Sequence, residues 1–146
     1  MSWEIAEAEG AADLAQCFAL RHAVFCVEQG VAEEIERDGK DAAARHLLAR
    51  VDGVPAGTLR LRVVDDAMKL ERVCVSAEAR GTGVGAALTR AALAVAVETP
   101  GVREAKLGAQ VDVVAFYERL GFAAHGPEYV EAGILHRDMT CALPAV

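Results

Sequence analysis

Residues 68–98 read MKLERVCVSAEARGTGVGAALTRAALAVAVE. Three patterns abut there. Met68 to Val75 is a strand-length apolar run, and Ala79-Arg80-Gly81-Thr82-Gly83-Val84-Gly85 is a glycine-rich turn. Ala86 to Glu98 is an Ala/Leu-rich helix, with Val84, Leu88, Ala91, Ala92 and Val95 on one face. The first turn of a helix has backbone N–H groups with no partner inside the helix. The helix dipole adds partial positive charge at that end. Glycines let the chain curl close to an anion without side chains in the way. The segment therefore has the makings of a phosphate cradle, each contact contributing about 0.3–2 kcal/mol. The same glycines also suit a tight strand-to-helix connection with no ligand, and this stretch alone leaves both readings open.

Two nucleotide loops are excluded. There is no G-x-x-x-x-G-K-[ST], and the glycines are spaced G-x-G-x-G rather than G-x-G-x-x-G. The next strand, Glu104 to Gln110, ends on Gln110 where a dinucleotide ribose would need Asp or Glu.

Upstream, Gly57 to Val64 alternates, with Leu59, Leu61 and Val63 on one face and Thr58, Arg60 and Arg62 on the other. His46 to Val51 precedes it across Asp52-Gly53, a tight-turn pair, and Asp65-Asp66-Ala67 turns into the Met68 strand. These runs predict an antiparallel meander. Trp3 to Ala6 reads as a first short strand and 11–23 as a helix. Val24 to Gln29 reads as a second helical piece or irregular loop, and the acidic run within 30–43 as a loop. Downstream, Val113 to Leu120 reads as a helix closed by Gly121. Two final strands, from Phe122 onward and His136 to Ala142, are joined around Gly126-Pro127 and Ala132-Gly133. The expected fold is one α/β domain over residues 1–146, a mixed, mostly antiparallel sheet flanked by helices.

A net charge of −7 argues against nucleic acid as a partner, since such binders carry basic surfaces. Cys17, Cys26, Cys74 and Cys141 form no C-x-x-C pair and have no His at ligand spacing. They read as buried free thiols, with no metal expected. The acidic start and the short longest apolar stretch, Ala91 to Val97, predict no membrane association and a cytoplasmic protein.

Arg80, Gly83 and Gly85, as Arg-x-x-Gly-x-Gly, resemble the signature of the GNAT-type N-acetyltransferases. Leu70-Glu71-Arg72-Val73-Cys74-Val75 resembles that family's fourth strand. Phe116-Tyr117-Glu118-Arg119-Leu120-Gly121-Phe122 resembles its tyrosine-bearing helix and the strand after it. Arg21, Phe25, Glu28-Gln29, Glu131 to Ile134 and His136 resemble the small ElaA-like group, with Leu135 departing from its frequent proline. The resemblance implies a GNAT-like fold in which strands four and five splay apart.

It further implies acetyl-CoA as acetyl donor, a primary amine as acceptor, and direct attack in a ternary complex. Val73, Cys74 and Val75 would offer main-chain groups to the pantetheine arm. Arg80, Gly81, Thr82, Gly83, Val84, Gly85 and Ala86 would hold the pyrophosphate. Gln110 would contact the arm or a water, and Phe116 would pack beside the cofactor. Tyr117 would protonate the departing thiolate. An amine with pKa near ~10.4 is mostly charged at pH 7, so a base is needed. Glu71 is the candidate, against the alternative of a paired strand carboxylate; His46 and His136 are weaker candidates. Cys74 has no activating neighbour at fixed spacing and reads as packing. Glu28-Gln29 and the acidic run Glu33 to Asp41 are candidates to line the acceptor side. A homodimer also follows from the resemblance alone. Competing readings are a non-catalytic acyl-CoA sensor and an acyl-homoserine-lactone synthase-like enzyme.

Overall fold

The chain alternates turn-forming residues with short apolar runs, and the computed structural model, which describes residues 2–144, follows that punctuation. Strands β1 (Trp3–Glu7), β2 (Arg45–Val51), β3 (Val54–Val64) and β4 (Ala67–Val75) form the antiparallel meander. Helix α1 (Gly10–Arg21), a π-helical continuation (His22–Glu28) and a one-turn helix α2 (Glu33–Glu36) lie between β1 and β2. Helix α3 (Val84–Glu98) leads to β5 (Glu104–Gln110), which runs parallel to β4. Helix α4 (Val114–Glu118) precedes the hairpin of β6 (Ala123–Glu131) and β7 (Ile134–Ala142). The seven strands lie in the order β1-β2-β3-β4-β5-β7-β6. This is the GNAT-like α/β fold that the sequence predicts. No helix among the described residues is long and apolar enough to cross a membrane.

One face of the sheet packs on α3. Leu59, Leu61, Met68, Leu70 and Leu107 meet Val84, Leu88, Ala92 and Ala96, and the last three of these are fully buried. Alanines keep α3 slim, and Gly57 lets it approach. A Cβ on Gly57 would stand 2.8 Å from Leu88 Cδ1 and 3.0 Å from the Cys74 carbonyl oxygen. On the other face, Cys17, Leu20 and Val24 pack on Leu48 and Cys74. The β5-β7-β6 half of that second face keeps Gly108 and Asp138 exposed.

Two details add to the sequence reading and one corrects it. The Thr58–Arg60 face of β3 is covered: both residues are fully buried. Arg60 is covered by the acidic run at 30–43, a loop exposed over most of its length that turns Glu36, Asp38 and Asp41 inward. Arg21 bonds Glu36 and Asp41, and Arg60 bonds Asp38 and Asp41. Finally, Gly126-Pro127 does not join two strands. It sits within β6, at an irregularity between His125 and Tyr129, and the hairpin turn is Ala132-Gly133 alone. Of the four cysteines, all free, Cys17 and Cys74 are buried as expected, while Cys26 and Cys141 are half-buried.

Candidate functional site

The ladder between β4 and β5 covers only three residue pairs, the last being Lys69 with Lys106. Beyond it the two strands part, and β4 runs on to Val75 bonded to β3 alone. Cys74 opposes Thr58 and Glu71 opposes Arg60, so Arg72 and Val73 together face Leu59. That extra residue is a bulge, and bulges bend and twist a strand locally. Arg72 sits there with φ 55°, a left-handed conformation costing a non-glycine residue about 1–2 kcal/mol. Its guanidinium offsets the strain through bonds to the Glu36 carboxylate at 3.0 Å and the Glu36 carbonyl at 3.1 Å. The acidic cover therefore also holds the bulge. The edge of β4 that turns from β5, including Val73, Cys74 and Val75, is left without a strand partner on that side.

At the end of this opening lies the glycine turn. Gly81 and Gly83 have φ 78° and 91°, values that glycine adopts without penalty. A Cβ on Gly83 would meet the Trp3 indole at 3.0 Å. Gly85 is less constrained: its φ is ordinary, and a Cβ there would only come into contact with Phe116 and Val75 at 3.4 Å. Helix α3 starts here with no side-chain cap. The N–H groups of Val84, Gly85 and Ala86 thus keep their capacity for an anion. The Thr82 hydroxyl is bonded to the Ala79 carbonyl.

Arg80 is paired in two directions, through Nη2 to Glu28 Oε1 at 2.6 Å and through Nε to the Val75 carbonyl at 3.2 Å. The neighbouring Gln29 accepts a hydrogen bond from Gln110 at 2.9 Å. The end of the π-helical segment thus reaches both sides of the opening.

Tyr117, on α4, is 6% exposed and packs edge-on against Phe116 and Phe122. Burial, with a smaller push from nearby Cys74, raises its phenol above the ordinary range. It therefore holds its proton at neutral pH. Its hydroxyl makes no hydrogen bond among the described residues. Cys74 is pushed up to about 12 by burial, so it is a thiol and a poor nucleophile.

Glu71 is committed elsewhere. Arg62 grips it at 2.6 and 3.0 Å, and Arg60 bonds it at 2.9 Å. Burial alone would raise its carboxyl, but the bonds from Arg62 and the charges of Arg60, Arg62 and Lys69 outweigh that and lower it to about 2. This is the paired arrangement weighed for it from the sequence, with Arg60 and Arg62 as the partners. His46 lies on β2, two strands from β4: it is 3% exposed, edge-on to Phe18, with Nε2 at 3.0 Å from the Asp41 carbonyl.

The network of Arg21, Arg60, Arg62 and Arg72 with Glu36, Asp38, Asp41 and Glu71 escaped the sequence reading. The available signal was Arg60 and Arg62 together on one strand face, and the acidic run Glu33 to Asp41 earlier in the chain.

The description "Acetyltransferase (GNAT) domain" fits residues 7–143 as a family model. A candidate acetyltransferase of Bacillus subtilis is 37% identical over 131 residues, 88% of each chain. Among solved structures, an acyl-CoA N-acyltransferase from Pseudomonas aeruginosa superposes with TM-score 0.85 at 32% identity, covering 97% of this chain and 100% of that one. Escherichia coli ElaA does so with TM-score 0.83 at 28% identity, covering 96% and 98%.

Proposed function

The chain belongs to the GNAT acetyltransferase family, and on that premise we propose that it moves the acetyl group of acetyl-CoA to a primary amine by direct attack in a ternary complex. The observation that carries this is the parting of β4 and β5 after Lys69 and Lys106, with an uncapped helix start at its end. An extended arm bearing amides can add to the free edge of β4 as a strand would. A pyrophosphate can take the N–H groups from Gly81 to Ala86. The opening is therefore suited in both shape and chemistry to a nucleotide with a long amide-bearing arm.

Each residue then has a separate task. A main-chain N–H of Val73, Cys74 or Val75 polarises the thioester carbonyl. Tyr117 donates its proton to the sulfur as the C–S bond breaks; its raised proton affinity keeps the phenol protonated until that moment. Phe116 and Val75 close the apolar side against Gly85. Glu71, with its carboxyl near 2, has too little proton affinity to serve as base at neutral pH. We assign it to positioning: it holds Arg60 and Arg62 beside the bulge.

Calorimetric titration with acetyl-CoA, beside NAD and ATP, tests the reading. Selective micromolar-range binding is expected, followed by thiol release when amines are supplied. Absence of acetyl-CoA binding would defeat it.

A further inference from the structure

With Glu71 occupied, the amine needs another proton acceptor. His136 stands directly opposite Gln110 in the β5–β7 ladder, so its ring lies on the same sheet face, at the end where β4 and β5 have parted. It is 9% exposed. Its Nδ1 lies 2.7 Å from the Ile134 carbonyl oxygen. A carbonyl can only accept, so Nδ1 carries the hydrogen, and in the neutral ring Nε2 carries the lone pair. Nε2 makes no hydrogen bond to the described residues.

The ring is held firmly. Tyr129, its cross-strand neighbour on β6, stacks on it at 5.8 Å and 18°. The Tyr129 hydroxyl donates to Asp138 Oδ1 at 2.8 Å. It lies above Gly108, where any side chain would collide with it. Ile134, Tyr129, Asp138 and Gly108 thus fix one imidazole and leave a single nitrogen open. The polar groups beside it are spent: Gln110 bonds Gln29, and Asp138 bonds Tyr129.

The geometry points to His136 Nε2 as the base that takes the proton of the acceptor ammonium. This inference rests on the acetyl-transfer reading above. Nε2 removes one proton, and the freed nitrogen forms a bond to the thioester carbon. As the C–S bond breaks, the nitrogen sheds its second proton to water, and Tyr117 protonates the sulfur and recovers a proton from water. The imidazolium then releases its proton to solvent. The sum is amide, free thiol and one proton.

His136→Asn tests this, because the amide can keep the bond to Ile134 while Nε2 is lost. Butylamine is charged at pH 7 and trifluoroethylamine is largely neutral, so only the first needs the base. Expected for the variant are unchanged acetyl-CoA binding, a loss of about 100-fold or more in kcat/KM for butylamine, and a loss of only about threefold for trifluoroethylamine. The butylamine rate should also recover as pH rises. Equal losses for both amines, or none, would overturn the assignment. A wild-type protein that binds no acetyl-CoA would instead defeat the acetyl-transfer reading. Should neither amine react, long-range 15N–1H NMR of the imidazoles still decides. The His136 signals should report an Nδ1–H tautomer and shift when acetyl-CoA is added, while those of His22 and His46 stay. The opposite tautomer, or unmoved His136 signals in the bound protein, would overturn it.

Discussion

Glu28 and Arg80 are 52 residues apart in the chain and 2.6 Å apart in space. The pair puts a carboxylate beside the glycine turn that is proposed to hold a pyrophosphate. Two anions cannot share one guanidinium without cost, so ligand binding has to displace Glu28 or work against it.

Glu28→Gln should therefore tighten acetyl-CoA binding. Exposed ion pairs contribute up to about 1 kcal/mol, which corresponds to a gain of about fivefold in affinity. The gain should shrink as salt is added. Calorimetry at two salt concentrations checks both, and a weaker-binding variant would refute the competition.

Gly83→Leu should weaken acetyl-CoA binding by at least about tenfold, because φ 91° disfavours a side chain and Trp3 fills the space. Gly101→Ala is its control, sharing positive φ but having nothing near it. Both variants should lose about 1–2 kcal/mol of stability. Only the first should lose the ligand; equal losses of affinity would show that stability, not the cradle, is responsible.

Tyr117→Phe removes a hydroxyl with no partner in the described chain, so melting should change little. The expected kinetic effect is a fall in kcat of about 100-fold with acetyl-CoA affinity unchanged. A variant with wild-type kcat would return Tyr117 to the role of a core aromatic and favour a non-catalytic reading.

Glu71 ties stability to pH. Its folded carboxyl is lowered from 4.5 to about 2, so it binds its proton more weakly folded than unfolded. Its contribution is present above pH about 4.5 and is lost as pH falls toward 2. Asp38 and Asp41 are lowered too and act in the same direction. Denaturant unfolding from pH 6 downward should show stability falling through that window. Glu71→Gln should flatten the fall while costing stability at pH 6. An unchanged slope in the variant would mean that Glu71 does not titrate as stated.

The strands and the main helices were legible because their signals are local. Leu59, Leu61 and Val63 alternate, Asp52-Gly53 marks a turn, and Leu88, Ala92 and Val95 recur at helical spacing. The glycine turn was legible for the same reason, since Gly83 needs its φ whatever surrounds it. Side chains that depend on distant partners were not. Arg60 has the pattern of an exposed strand residue, and only the folding of 33–41 over β3 buries it among carboxylates. That same burial decides the chemistry of Glu71, because a carboxyl's proton affinity is set by the charges and solvent around it. His136 carries no sign in the sequence of which nitrogen is open. The β5–β7–β6 pairing, Ile134 and Tyr129 decide that together. Propensity and turn chemistry act over a few residues, and so determined the elements. Proton affinity and accessibility are sums over neighbours, and so waited for the tertiary structure.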